Sequence, residues 1–239
     1  MQAIIVSVDY ADLLAITLPY NRHNFTDVLV VTTPTDHKTA AVATECGCQV
    51  LKTDAFYANG ARFNKFAAIE QAVDVLRPRG WLCFLDADIM IPINMRFRQQ
   101  IWRIGKIYSP LRRMWVNTSL QPPTENAWGQ LPYGEPRNAT RFAGYMQVFN
   151  VQDAVLASRP WHRLDYDNAS DGDTAFSRKW VNANKVRPAF EVLHLGQDSQ
   201  NWCGRVTPYV DGTLPEGVEE KSAAVRAFLR NRKVKPKAK

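Results

Sequence analysis

The chain lacks any apolar run of about 18 residues, so no segment of it is built to cross a bilayer as a helix. Its opening residues, Met1, Gln2, Ala3 and Ile4, carry no basic stretch ahead of the apolar positions, which argues against a secretory leader. Cysteine is scarce. Cys46, Cys48, Cys83 and Cys203 match no disulfide framework, and a reduced, cytoplasmic compartment is expected. No histidine or second cysteine pair stands beside Cys46 and Cys48, so Gly47 reads as the stop of a helix and not as part of a metal or redox pair. Acid is missing from two stretches. Over residues 95–124, Arg96, Arg98, Arg103, Lys106, Arg112 and Arg113 are interleaved with Phe97, Trp102, Tyr108 and Trp115. The final stretch holds Arg226, Arg230, Arg232, Lys233, Lys235, Lys237 and Lys239. Without those seven, bases and acids balance at 23 each, so the net charge of +7 belongs to the end of the chain. A basic tail over 226–239 is expected, suited to contact with a polyanion or simply to solvation. The aromatic and basic stretch has what backbone contact plus base stacking requires; it has equally the make-up of an amphipathic segment in a basic protein.

What is present fits one sizeable α/β core. The chain has 239 residues, 46% of them hydrophobic. Apolar runs at 3–8, 27–33 and 49–51 read as strands, separated by helical segments at 11–18, ended by Pro19, and at 36–45. A third helix follows Asn59 to Lys65 and runs to residue 76, with Phe66, Ile69, Val73 and Leu76 as its buried stripe. Residues 81–85 are an unbroken apolar strand. Further strands are expected at 141–150 and 190–195, and helices at 151–158 and 174–181, the last capped by Ser170 or Asp173. Residues 120–139 read as a long loop. The alternation implies a Rossmann-type, mostly parallel central sheet flanked by helices.

The strand at 81–85 runs directly into Asp86-Ala87-Asp88. In extended geometry both carboxylates leave the same face and can converge on one cation. Ligands in open α/β sheets bind beyond the carboxyl ends of the strands. Hard oxygen ligands suit Mg²⁺ or Mn²⁺, with diphosphate oxygens completing the shell. An ordinary Asp-rich turn is the plainer account of the same residues. His194 ends the last strand, and in a chain that holds Asp86 and Asp88 it becomes a candidate third ligand. Arg62, Asn64 and Lys65 stand at the start of a helix, a favourable place for phosphate or for plain solvation. Acids concentrate at Asp165, Asp167, Asp171 and Asp173, as caps, loop groups or a general base.

In this order the pieces resemble a GT-A glycosyltransferase. They are Val6-Ser7-Val8-Asp9-Tyr10 on the first strand, Asn59 to Lys65 before the middle helix, Asp86-Ala87-Asp88 after the central strand, and His194-Leu195-Gly196 late in the chain. The resemblance implies a nucleotide-diphosphate sugar donor, a UDP-sugar first among them, with Mn²⁺ or Mg²⁺. It implies one catalytic domain over 1–225, with donor binding in 1–94 and acceptor binding in 95–225. By position, Asp88 would bind the metal, Asp86 would contact the ribose or share the metal, and His194 would be the third protein ligand. Ser7, Asp9 and Tyr10 would line the base. Arg62, Asn64, Lys65 and Arg205 would complete the donor site. Asp171 or Asp173 would be the base that deprotonates the acceptor, with Gly144, Tyr145 and Gln147 facing it.

The residues after His194 lack the Lys-Pro-Trp of the retaining glycogenin-like pattern, which points to inversion. The acceptor could be a saccharide or, given the basic stretches, a hydroxylated base in DNA, as for phage-type DNA glycosyltransferases. Two other readings stand beside this one. A nucleotidyltransferase of similar fold normally has a Gly-rich, basic loop after its first strand, and residues 7–18 contain no Gly, Lys or Arg. A non-catalytic nucleic-acid-binding module leaves Asp86, Asp88 and His194 without a purpose.

Overall fold

The computed structural model describes residues 1–93, 96–118, 121–135, 142–197 and 200–234. The first half alternates as expected: β1 (Gln2–Val6), α1 (Ala11–Asn21), β2 (Asp27–Thr32), α2 (His37–Glu45), β3 (Gln49–Lys52), α3 (Lys65–Leu76) and β4 (Trp81–Asp86). There follow β5 (Ile89–Met90), α4 (Arg96–Gln99), β6 (Ile107–Tyr108), β7 (Leu111–Trp115), α5 (Glu125–Trp128), β8 (Met146–Asn150), α6 (Gly172–Ser177), β9 (Lys185–Val186), β10 (Glu191–Leu195) and α7 (Val218–Val234). One seven-stranded sheet has the order β3-β2-β1-β4-β8-β6-β9. Strands β1 to β4 are parallel, and β8 runs antiparallel to β4. A second, three-stranded sheet has the order β5-β10-β7.

Strand alternation sorts the core into two layers. Ile4, Leu29 and Phe84 face α3, whose Phe66, Ile69 and Val73 are buried against them. The next residues, Ile5, Val30 and Leu85, face the other way onto Leu14 and Leu18 of α1 and Ala43 of α2. Asp36 caps α2 by accepting from the Thr39 amide at 3.1 Å, and Asn64 caps α3 by accepting from Ala67 at 3.1 Å.

Several boundaries differ from expectation. Helix α1 continues through Pro19 to Asn21, so the proline removes one helical hydrogen bond without ending the helix. The helix expected at 151–158 shrinks to one 3₁₀ turn, Ala154–Leu156. The strand expected from 141 begins at Met146, and residue 141 lies outside the described residues. Helix α6 starts earlier than expected, with Asp171 at its N-cap position in left-handed backbone (φ 64°). The expected tail is also different. Residues 226–234 continue α7, which docks through Val225 and through Phe228 set edge-on to Trp202 at 5.6 Å; residues 235–239 lie outside the described ones. Glu219 and Glu220 in its first turn match the helix dipole.

Among the described residues of 95–124, three of the interleaved aromatics pack on one another instead of standing free to stack. Trp102 packs against Trp81, Phe97 and Tyr108, and the last two are buried. Arg112 pairs with Glu135 and Arg113 with Glu191.

Glu70 of α3 ties the 159–162 segment to the core. Its carboxylate accepts from the Trp161 amide (3.1 Å), the His162 amide (3.0 Å), His162 Nδ1 (2.8 Å) and Arg159 Nε (2.9 Å). Burial alone would raise this carboxyl, but His162 and Arg159 outweigh it and hold Glu70 below the ordinary range. Its stabilisation is therefore complete above the unfolded value of about 4.3 and drains as pH falls through the folded one. Glu70→Gln is expected to cost about 2–3 kcal/mol at pH 7 and less in acid, checked by urea unfolding at pH 7 and pH 3.5.

Candidate active site

The chemistry-bearing residues meet at the carboxyl ends of β1 and β4. Asp86 is the last residue of β4, and the chain then turns through Asp88 into β5. The second sheet brings His194 to it: His194 pairs opposite Ile89, and the Leu195 amide donates to the Asp88 carbonyl at 2.8 Å. His194 Nε2 thereby lies 3.3 Å from Asp88 Oδ2. The other carboxylate oxygen, Asp88 Oδ1, is buried with no hydrogen-bond partner among the described residues. Burial would raise the Asp88 carboxyl, but His194 outweighs it and holds the group below the ordinary carboxylate range. Asp86 faces the first residue of α3, with Lys65 Nζ donating to its Oδ1 at 2.7 Å. Lys65 Nζ also lies 3.7 Å from Asp173 Oδ1. Burial opposes the Lys65 charge, yet Asp173 and Asp86 prevail and raise its pKa. Asp86 is pushed up to about 6 by burial, partly opposed by Lys65, with Asp88 and Asp173 adding to the rise.

These residues line a cavity of about 470 Å³, shared with Tyr10, Arg112, Glu135, Gly144, Tyr145 and Asn201. Gly144 makes room for Asp173: a Cβ there would stand 1.8 Å from Asp173 Cγ. Because the clash is with a side chain that can rotate, Gly144→Ala should leave the fold intact and turn Asp173 out of place. If Asp173 acts in the reaction, its turnover should fall about 100-fold with an unchanged circular dichroism spectrum. Gln147 is buried and reaches the same helix from below, donating to the Asp173 carbonyl at 3.2 Å.

The expected metal set is altered. Among the described residues no three His, Cys, Asp or Glu side chains gather to hold a metal, and Asp86 is engaged by Lys65. Asp88 and His194 do fit one hard divalent cation: one carboxylate oxygen has no partner, and an imidazole stands beside the other. Such ions commonly take one or two protein ligands and complete their shell with phosphate oxygens and water.

The donor-binding expectations divide. Tyr10 lines the cavity, its hydroxyl accepting from Asn201 Nδ2 at 2.5 Å. Ser7 and Asp9 are not among the lining residues. Ser7 is buried, and the Asp9 amide donates to Asp36 at 2.8 Å. Arg62 is ion-paired to Asp167 outside the cavity, and Asn64 serves as the α3 cap.

Arg205 is a correction. It borders the cavity, but its five N–H donors reach Thr207 O, Asp9 O, Pro208 O and both Asp12 oxygens. Its guanidinium lies 4.6 Å from the Tyr10 ring centre and 4.5 Å from that of Tyr209. It fastens Tyr10 in place and has no donor left for a phosphate. Of the two candidate bases, both line the cavity, Asp171 exposed at the α6 cap position and Asp173 beside Lys65. Sequence reasoning missed Glu135 and Asn201. Neither carries a spacing signal, since loop contacts place both.

No protein-family model matches the chain, and no curated protein sequence does. Solved structures do. A mannosyltransferase from Pyrobaculum calidifontis (PcManGT), solved in complex with GDP-Man and Mn²⁺, aligns over 99% of this chain and 76% of its own at 12% identity, TM-score 0.55. A mycobacterial protein aligns over 99% and 76% at 14% identity, TM-score 0.51. The glucosyl-3-phosphoglycerate synthase of Mycobacterium tuberculosis, with Mn²⁺, UDP and glucosyl-3-phosphoglycerate, aligns over 99% and 81% at 12% identity, TM-score 0.49. At such identities the likeness establishes the fold: the chain has the GT-A architecture, a mostly parallel α/β sheet flanked by helices.

Proposed function

We propose that this chain is a metal-dependent glycosyltransferase that moves a sugar from a nucleoside-diphosphate sugar to an acceptor hydroxyl with inversion. The observation that carries the reading is the Asp88–His194 pair, with its unpartnered buried carboxylate oxygen, at the strand ends of a GT-A fold. Asp88 and His194 would hold Mn²⁺ or Mg²⁺, and the bound cation would offset charge building on the departing diphosphate. The GDP-Man and Mn²⁺ carried by the Pyrobaculum calidifontis mannosyltransferase support the class of donor and metal. A UDP-sugar is the first donor to try.

The chain's own residues divide the remaining work. Tyr10, fixed by Arg205 and Asn201, offers an aromatic wall to the nucleoside. Asp86 meets the ribose while Lys65 holds its carboxylate in place. Asp173 takes the acceptor proton as the hydroxyl oxygen attacks the anomeric carbon. One catalytic domain is proposed, with donor residues in 1–94 and acceptor residues in 95–225. Four free cysteines favour a cytoplasmic setting.

A small saccharide-type acceptor suits the cavity better than a DNA base, because Phe97, Trp102 and Tyr108 of the 95–124 stretch pack on one another and are not presented for stacking. The cations Arg226 and Arg230 on α7 are what supports a hydroxylated base in DNA. Calorimetry with UDP-, GDP- and CDP-sugars, each with and without Mn²⁺, tests the donor half. Binding of one of them that depends on the metal is expected; no binding by the folded protein would overturn the reading. Saccharides and hydroxymethylated DNA, offered as acceptors with the donor so found, decide the acceptor half.

A further inference from the structure

Arg112 makes a contact that conflicts with metal ligation by His194. It lies on β7, on the same face of the second sheet as His194, and is 6% exposed. Its Nη1 stands 3.0 Å from His194 Nδ1, its Nε donates to Glu135 at 2.9 Å, and its guanidinium covers the Tyr145 ring at 4.5 Å. Gly134 admits it, since a Cβ there would come within 2.6 Å of Arg112 Nε. A guanidinium only donates. For the two to bond, His194 Nδ1 must offer a lone pair, which leaves the ring hydrogen on Nε2, towards Asp88. Ligation through Nε2 requires the opposite arrangement. The ring hydrogen would then sit on Nδ1 and face an Arg112 N–H, two donors with no acceptor between them. The guanidinium also sets a positive charge next to the incoming cation.

We infer that Arg112 is a latch on the metal site. It holds His194 while no metal is bound, and ligation moves its Nη1 off the ring. The freed end then points into the cavity it already lines, where a diphosphate would complete the metal shell. Glu135 and Tyr145 keep hold of the rest of the side chain, so the movement stays local. The inference rests on reading Asp88 and His194 as metal ligands and adds an order to it: metal binds weakly alone and tightly together with the nucleotide.

The test is Mn²⁺ titration followed by paramagnetic resonance of the free ion, on wild type, Arg112→Met, Arg112→Lys and Asp88→Ala, with no nucleotide and then with UDP or GDP. Arg112→Met should bind Mn²⁺ alone about tenfold more tightly than wild type, and should bind nucleotide in the presence of Mn²⁺ about tenfold more weakly. Arg112→Lys should fall between the two. An arginine with only a structural role would weaken both steps. Equal or weaker Mn²⁺ affinity in folded Arg112→Met, with binding still lost in Asp88→Ala, overturns the latch and leaves the metal site standing. Binding that Asp88→Ala does not alter, or no binding by any form with or without nucleotide, overturns the metal-site reading itself. Nitrogen-15 NMR of the histidines in wild type covers the case in which Arg112→Met does not fold. On adding Mg²⁺ and UDP, His194 Nδ1 should change from a bare to a protonated nitrogen, and a signal that stays bare overturns the latch.

Discussion

Asp88→Ala is expected to abolish metal-dependent donor binding and to lower sugar transfer by about a thousandfold or more. The size follows from what is lost. Asp88 is the carboxylate with a buried oxygen that no group among the described residues satisfies, and it stands 3.3 Å from His194. Losing cation stabilisation of a departing diphosphate costs several kcal/mol of transition-state free energy, and about 1.4 kcal/mol is tenfold in rate. The fold should survive, because the Asp88 carbonyl, not its side chain, accepts from Leu195 and ties β10 to the turn after β4. Activity and Mn²⁺ affinity measured on the same preparation check this. Wild-type transfer by folded Asp88→Ala would rule out the site as drawn.

Asp173→Asn separates chemistry from binding. The amide keeps the shape and cannot take a proton, so transfer should fall about 10²–10⁴-fold while nucleotide-sugar affinity stays within about threefold. Asp171→Asn, two residues earlier and exposed, should stay close to wild type. The reverse pattern would move the base to Asp171. Loss of transfer in neither variant would point away from a carboxylate base and from inversion.

The first half of the fold was legible because its signals are local. Alternate residues of β1 and β4 go to opposite layers, and the α3 stripe Phe66, Ile69 and Val73 faces one of them. The Asp-x-Asp at the end of β4 was legible for the same reason: an apolar strand that ends in carboxylates places them at the ligand-binding end of a parallel sheet. The second sheet was not. Strand β5 has two residues, and its pairing with β10 is fixed by contacts a hundred residues apart. With it went the Arg112–His194 contact, which only the β7–β10 register creates. Arg205 misled because a sequence shows a cation and not its acceptors, three of which are backbone carbonyls. At the end of the chain the excess charge drew attention from a helical stripe, Val225 and Phe228 three apart, that anchors α7.

The most direct test of the central claim is a crystal structure of the protein with Mn²⁺ and the nucleotide that binds, with anomalous differences recorded at the manganese edge. The account predicts one strong peak at the Asp88 carboxylate and the His194 ring, beside the bound nucleotide. Nucleotide in the cavity with no manganese at that pair, or manganese held elsewhere, would contradict it.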